Sequence, residues 1–123
     1  MATESNTIKE LVSEFAKADN DYNAEKLLSL TDGDFQFLMA SKDGKSVDKI
    51  PRSAFIGGIK AKKLGGHNKK LTIERVNVAG NIANVYFTQK GEKFGFHHFA
   101  DLIKVDGEWK FVSTTAHMEF YSQ

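Results

Sequence analysis

The chain has 123 residues and a mass of 13.7 kDa, enough for one domain, 1–123, with a real core. Hydrophobic residues make up 41% and charged residues 27%, and the net charge is +1, which removes any large sequence-independent attraction to nucleic acid. Without cysteine, disulfides, thiolate metal sites and cysteine catalysis are excluded. No apolar run approaches the ~20 residues that span a bilayer, and the opening MATESNTIKE lacks the basic and apolar regions of a signal peptide. The expectation is a cytoplasmic protein with no membrane partner.

In chain order, residues 7–18 predict an amphipathic helix. Ile8, Leu11, Val12, Phe15 and Ala16 recur at helical spacing, and Thr7 with Glu10 form a capping-box pattern. Asp19-Asn20-Asp21 breaks the pattern. A shorter helix follows with Asn23 as its cap and Ala24, Leu27 and Leu28 turned inward, and Thr31-Asp32-Gly33-Asp34 ends it. Phe35, Phe37 and Met39 alternate with Asp34, Gln36 and Leu38 as in a strand. Lys42-Asp43-Gly44-Lys45 predicts a turn into a short strand near Ser46–Lys49. Pro51, the only proline, suits the first turn of a third helix with Ala54, Phe55, Ile59 and Leu64 inside, weakened by Gly57-Gly58 and stopped by Gly65-Gly66.

From Lys69 onward the pattern is all strand. Leu71 and Ile73 share one parity and Val76 and Val78 the other, which predicts a bulge near Arg75. Turns follow at Ala79-Gly80-Asn81 and at Lys90–Lys93. The last and strongest signal is FGFHHFADLIKVDGEWKFVSTTAHMEFY, in which Asp106-Gly107 suits a two-residue type I′ turn. An uninterrupted ladder from that turn sets Lys104 against Trp109, Leu102 against Phe111, Asp101 against Val112 and His97 against Ala116. His97, Phe99, Asp101, Ile103, Val112, Thr114, Ala116 and Met118 then share one face, with His98 and His117 on the other.

Charge is uneven. Residues 1–34 hold eight acids and three bases, whereas residues 42–70 hold nine bases and two acids. The basic stretch reads first as a solvated surface, with an anion-binding flank as the functional alternative.

Helices first and long antiparallel strands afterwards make an α+β domain. About three N-terminal helices close one face of a curved antiparallel sheet, and the resulting cone can take a ligand at its mouth. The face away from the helices must be solvated or paired, and Leu102, Trp109 and Phe111 together on one face predict that a second copy covers it, as a homodimer.

This order of elements resembles the nuclear transport factor 2-like superfamily, which includes ketosteroid isomerase and the SnoaL-like polyketide cyclases. The segment ADLIKVDGEWKFVSTTAHME is similar to the closing hairpin of its small bacterial members, the lumazine-binding-like group among them. The resemblance spans nearly the whole chain and implies a cystatin-like cone. It does not choose among enzymes, binders and interaction modules. Laid on ketosteroid isomerase without gaps, FAKADNDYNAEKLLSLTDGDFQFLM puts Phe15 at the catalytic tyrosine and Met39 at the proton-abstracting aspartate, and Asp101 matches the second aspartate. One match in three implies that the usual steroid isomerase mechanism is absent.

The expected site therefore centres on Asp101, as an acid or oxyanion donor in a dry pocket. His97, ~13 Å along the same face, acts on the other end of a ligand. Phe15, Tyr22, Met39, Phe55, Phe99, Thr114 and Met118 line the pocket, and Tyr22 offers a hydroxyl in place of the missing tyrosine. His98 and His117 lack a third ligand, so no metal is expected, and no cofactor. Three functional readings follow. The first is a binding domain for a small apolar or aromatic ligand. The second is an isomerase, cyclase or dehydratase using Asp101, and the third is a protein-interaction module.

Overall fold

Helix α1 (Glu4–Asn20) buries Ile8, Val12, Phe15 and Ala16, the stripe that the periodicity picks out. It begins a turn earlier than the Thr7–Glu10 pattern suggests, because Thr3 is the cap: its hydroxyl accepts from the Asn6 N–H at 3.1 Å. Thr7 instead donates back to the Thr3 carbonyl at 3.2 Å. Asn23 caps α2 (Ala24–Leu30) as expected, accepting from the Lys26 N–H at 3.1 Å. The computed structural model describes residues 3–41 and 43–121, so Lys42 of the expected 42–45 turn lies outside the described residues.

The chain then enters β1 (Thr31–Ala40) directly. Thr31-Asp32-Gly33-Asp34 opens the strand rather than forming a turn. The Thr31 hydroxyl donates to the Leu27 carbonyl at 2.8 Å and accepts from Arg52 Nε at 3.0 Å, which ties the strand's start to both flanking helices. After β2 (Val47–Pro51), Pro51 caps α3 (Arg52–Lys60), which ends at Lys60, ahead of the two glycines. A loop over residues 61–69 follows, with Lys62, Gly65, Gly66, His67 and Asn68 all at positive φ. Four long strands complete the chain: β3 (Lys70–Ala79), β4 (Ile82–Lys90), β5 (Phe94–Val105) and β6 (Glu108–Phe120). Among the described residues no helix is long and apolar enough to cross a membrane.

The strands form one six-stranded sheet in the order β2-β1-β6-β5-β4-β3. The expectation of a wholly antiparallel sheet needs one correction, since β1 runs parallel to β6. The chain between these two strands runs through β2, α3, β3, β4 and β5, and so long a connection permits parallel pairing. The parity switch at Arg75 marks a real irregularity, where the β3–β4 register shifts between Ile73 and Arg75.

The last hairpin turns at Asp106 (φ 50°) and Gly107 (φ 80°), as a type I′ turn requires. Its ladder follows the expected register only as far as Leu102↔Phe111. The next pair is Asp101↔Ser113, so β6 carries one extra residue at Val112. Beyond it Ala100 pairs with Thr114, His98 with Ala116 and His97 with His117. Every β6 side chain past the bulge therefore lies on the face opposite to that expected from an uninterrupted ladder.

The helix-facing side of the sheet supplies Ala83, Val85, Phe87, Ala100, Leu102, Phe111 and Ala116 to one core cluster with Ile8, Val12, Leu27 and Ile59, so Leu102, Trp109 and Phe111, expected on the dimer face, are core residues under the helices instead. Phenylalanines fill its centre. Phe15 lies 4.7 Å from Phe111 and 6.2 Å from Phe55, and Phe55 is 5.3 Å from Phe37. At the far end Glu4 accepts from Lys104 Nζ and Trp109 Nε1, both at 3.1 Å, and pins the start of α1 to the hairpin. Truncating the central ring in Phe15→Ala should cost about 3–5 kcal/mol. Urea denaturation should show it as a lower midpoint, and a loss under 1 kcal/mol would mean that Phe15 does not hold this cluster together.

Candidate functional site

The phenylalanines leave little of the cone open. A cavity of about 50 Å³ remains toward its mouth, with Phe15, Phe37 and Phe55 on the inner side and Met39, Leu64 and Phe96 toward the outside. Its floor is polar, which is unusual in a core otherwise made of aromatic and aliphatic residues. Asp19, Lys69, Gln89 and His98 all border it.

Asp19 and Lys69 form a buried ion pair at 3.0 Å, with side-chain exposures of 12% and 3%. Lys69 Nζ also donates to the Gly66 carbonyl at 2.7 Å and lies 5.5 Å from the centre of the Phe96 ring. Gln89 Nε2 donates to the second partner of the pair, Asp19 Oδ2, at 3.2 Å. The same helix end holds the 61–69 loop through its backbone. Gly66 N–H donates to the Asp19 carbonyl at 2.8 Å. The Asn20 amide donates to the Lys69 carbonyl at 2.8 Å and accepts from the Lys69 N–H at 2.9 Å. Gly65 is needed for this approach: its φ is +83°, and a Cβ there would sit 2.7 Å from the Asp19 carbonyl oxygen.

His98, 3% exposed, projects inward from β5. Phe87 stacks on its ring at 4.7 Å, and Phe96 and Phe37 lie at 5.6 and 6.0 Å. Neither ring nitrogen has a hydrogen-bond partner among the described residues. Burial, reinforced by the nearby charges of Lys69 and His97, pushes the imidazole down to about 3, so it is neutral at physiological pH. The Thr114 hydroxyl, fully buried on the same side of the sheet, also lacks a partner.

The expected site residues divide between the two faces. Phe15, Met39 and Phe55 line the cavity. Thr114 and Met118 are on the inner side, with Met118 half-buried and paired to Phe96. Tyr22 is at the loop instead of the cavity, at φ 55°, with the Lys62 ammonium 5.3 Å from its ring centre.

Asp101, His97 and Phe99 are on the outer face, and the dry pocket expected for Asp101 is not where it sits. Asp101 is exposed and accepts from Asn84 Nδ2 at 2.8 Å and Ser113 Oγ at 3.2 Å. His97 Nδ1 meets the Tyr86 hydroxyl at 2.8 Å and its Nε2 donates to Glu119 at 3.1 Å. Phe99 is 51% exposed and stacks on Tyr86 at 5.0 Å. The physical reason is the extra residue at Val112. An unbroken ladder groups Asp101 with Thr114 and Met118, and the bulge separates them. It also leaves His98 and His117 on opposite faces, with His117 beside His97 instead, ring centres 6.2 Å apart.

Asp19, Lys69, Gln89 and His98 did not stand out as a site in the sequence. Lys69 reads as one more base of a solvated stretch and Asp19 as a helix breaker. One signal was there to find: an acid in the last turn of a helix opposes the helix dipole, so Asp19 needs a partner elsewhere to justify its place.

Three outcomes follow. Lys69→Met should lose about 3–5 kcal/mol in urea denaturation, because it strands a buried carboxylate. Asp101→Asn, at an exposed site, should change stability by less than about 0.5 kcal/mol. The third concerns pH. Above about 6.5 His98 is neutral folded and unfolded and adds no pH dependence. Between 6.5 and about 3 only the unfolded chain takes up the proton, so stability falls as pH falls. From pH 7.5 to 5 this group alone should remove about 2 kcal/mol, and His98→Phe should lose that much less than wild type over the same interval.

Among solved structures, an NTF2-like protein of unknown function from Shewanella baltica superposes with a TM-score of 0.84 at 20% identity, covering 98% of this chain and 100% of that one. An NTF-2 like protein of unknown function from Silicibacter pomeroyi gives 0.81 at 21% identity, with 96% and 100% covered. A ketosteroid isomerase-like protein from Erwinia carotovora atroseptica gives 0.78 at 12% identity, with 96% and 98% covered. At these identities the likeness is one of fold. No curated protein matches the sequence. The model of the family described as "Putative lumazine-binding" matches residues 3–117, nearly the entire chain. The chain belongs to that family, and its fold is that of the NTF2-like proteins.

Proposed function

We propose that the protein is a small-molecule-binding domain whose ligand enters the cone between Met39, Leu64 and Phe96. The observation that carries this is the polar floor. A buried ion pair, an amide and an unpartnered imidazole border one cavity in an otherwise apolar core. The ion pair fastens the 61–69 loop, but the imidazole beside it serves no such end, and leaving its nitrogens buried and unmet is costly. The family's description supports a ligand of the ring class. As it stands, a cavity of about 50 Å³ is smaller than a bicyclic ring such as lumazine. Met39 and Leu64, both half-buried, are the side chains that move to admit one.

The isomerase, cyclase or dehydratase reading rests on Asp101, and an exposed carboxylate outside the cone gives it no support. The outer face bears instead on assembly. Ile82 is 57% exposed, and Phe99, Ile103 and Val78 are exposed beside it. Val78, Ile82, Ile103 and Val112 border an open groove of about 440 Å³. We infer that a second copy covers this face, as a cytoplasmic homodimer.

Both readings are open to direct measurement. Small planar compounds should be screened by thermal shift and by the methyl signals of Met39 and Leu64. A true ligand moves both methyls and adds about 2.7 kcal/mol at a hundred times its Kd. A screen, lumazine included, in which neither methyl moves would overturn the binding reading. In sedimentation velocity the wild type should run as a dimer and Ile82→Lys/Phe99→Glu as a folded monomer; a wild-type monomer at high concentration would dispose of the dimer.

A further inference from the structure

Resting on the reading of the outer face as the contact between two copies, we propose that this dimer is gated by pH: protonation of the His97–His117 pair on that face drives the copies apart. The two histidines are cross-strand partners. His97 of β5 is in register with His117 of β6, and their ring centres are 6.2 Å apart. A row of stacked rings joins them to the exposed apolar part of the face. Phe99 lies 5.0 Å from Tyr86, and Tyr86 lies 6.1 Å from His97.

Size brings the pair inside the contact. An interface of ordinary extent buries about 800 Å² on each copy, a disc of roughly 16 Å radius. Centred on Phe99, which is 51% exposed, such a disc takes in His97, two residues or ~7 Å along β5. It also takes in His117 on the next strand, ~5 Å further across the sheet. The contact of two identical copies presents the same patch from both sides, so each imidazole enters it twice.

Charge gives the direction. His97 has its counter-charge at hand, with Glu119 at 3.1 Å from Nε2 and the Tyr86 hydroxyl at 2.8 Å from Nδ1. His117 is exposed, and among the described residues no hydrogen bond or ion pair holds it. The rest of the surroundings offer it no acid. Residues paired across a ladder point to one side, so Lys70 and Arg75 of β3, Lys90 of β4 and Lys49 of β2 share this face, and Tyr121 lies over Gly95. Asp101 is ~13 Å from His97 along β5 and is already bonded to Asn84 and Ser113. Glu119 thus matches one of two imidazolium charges, and each copy brings one unmatched charge to the contact. A charge that leaves water without a partner opposes association, whereas in the separate chain it stays solvated. The separate copies therefore take up protons in preference to the dimer, and the dimer is lost as pH falls through the range in which histidine titrates.

The test is sedimentation velocity of the intact protein over a concentration series at pH 7.5 and 5.5, which gives the dimer Kd at each. Near-UV circular dichroism establishes that every sample is folded, and His98 in the cone, held down to about 3, is neutral at both values in the folded chain. The wild-type dimer should weaken about tenfold or more between pH 7.5 and 5.5. In His117→Gln, which stays neutral, the ratio of the two constants should shrink to about threefold or less. His117→Lys, charged at both values, should dimerise as weakly at pH 7.5 as the wild type does at 5.5. A wild-type dimer equally tight at both values, or an undiminished ratio in folded His117→Gln, would overturn the gate and leave the dimer standing. A wild type that is monomeric at pH 7.5 and high concentration would remove both.

Discussion

The Lys69–Asp19 pair is the contact on which the mouth of the cone depends. It joins the last turn of α1 to the residue just ahead of β3, and Gln89 of β4 leans on the same carboxylate. Around it, backbone and amide hydrogen bonds from Asn20 and Gly66 hold a loop in which five residues adopt left-handed backbone conformations. That conformation is costly for Lys62, His67 and Asn68, and it persists where the surroundings over-determine it. The ion pair and the Asn20 clamp are what over-determines it here. Because Lys69 is enclosed, the strength of its charge is spent on this local geometry and not on the surface, although it belongs to the most basic stretch of the chain.

The remainder of the cone is governed by packing. Phe15, Phe35, Phe37, Phe55 and Phe111 meet in tilted and stacked pairs at 4.7–6.4 Å, so the volume that a curved sheet encloses is largely spent on rings. What remains open lies where those rings give way to Gln89, His98 and the ion pair. Site and core are thus one continuous structure. The rings that fill the cone also exclude water from the imidazole, and this exclusion keeps His98 neutral and makes its unpartnered nitrogens consequential.

The outer face has a different chemistry. Tyr86, His97 and Glu119 form a hydrogen-bonded chain across β4, β5 and β6, and Asn84, Asp101 and Ser113 form another. These networks lie beside exposed Phe99 and Ile103, so the face is neither plainly solvated nor plainly apolar. Asp101 and His97, the two residues with the most obvious chemistry in the sequence, both belong here, some distance from the cavity and paired to separate partners.

The sequence by itself determined the element types, the α+β order, the type I′ turn at Asp106-Gly107, the irregularity near Arg75 and the family. Each of these is written in local signals: helical or alternating periodicity, caps, and turn residues with a fixed backbone requirement. It also placed Phe15, Met39 and Phe55 together, because apolar stripes converge on a core whatever the detailed register. Only the tertiary structure decided which face of β6 is which. A single extra residue at Val112 has no marker in a run such as KFVSTTAHME, and with a side-chain period of two that one residue exchanges the faces. Only the tertiary structure, too, brought Asp19 to Lys69 and Gln89 across separations of 50 and 70 residues, and no local pattern encodes a contact that the folding of the whole sheet creates.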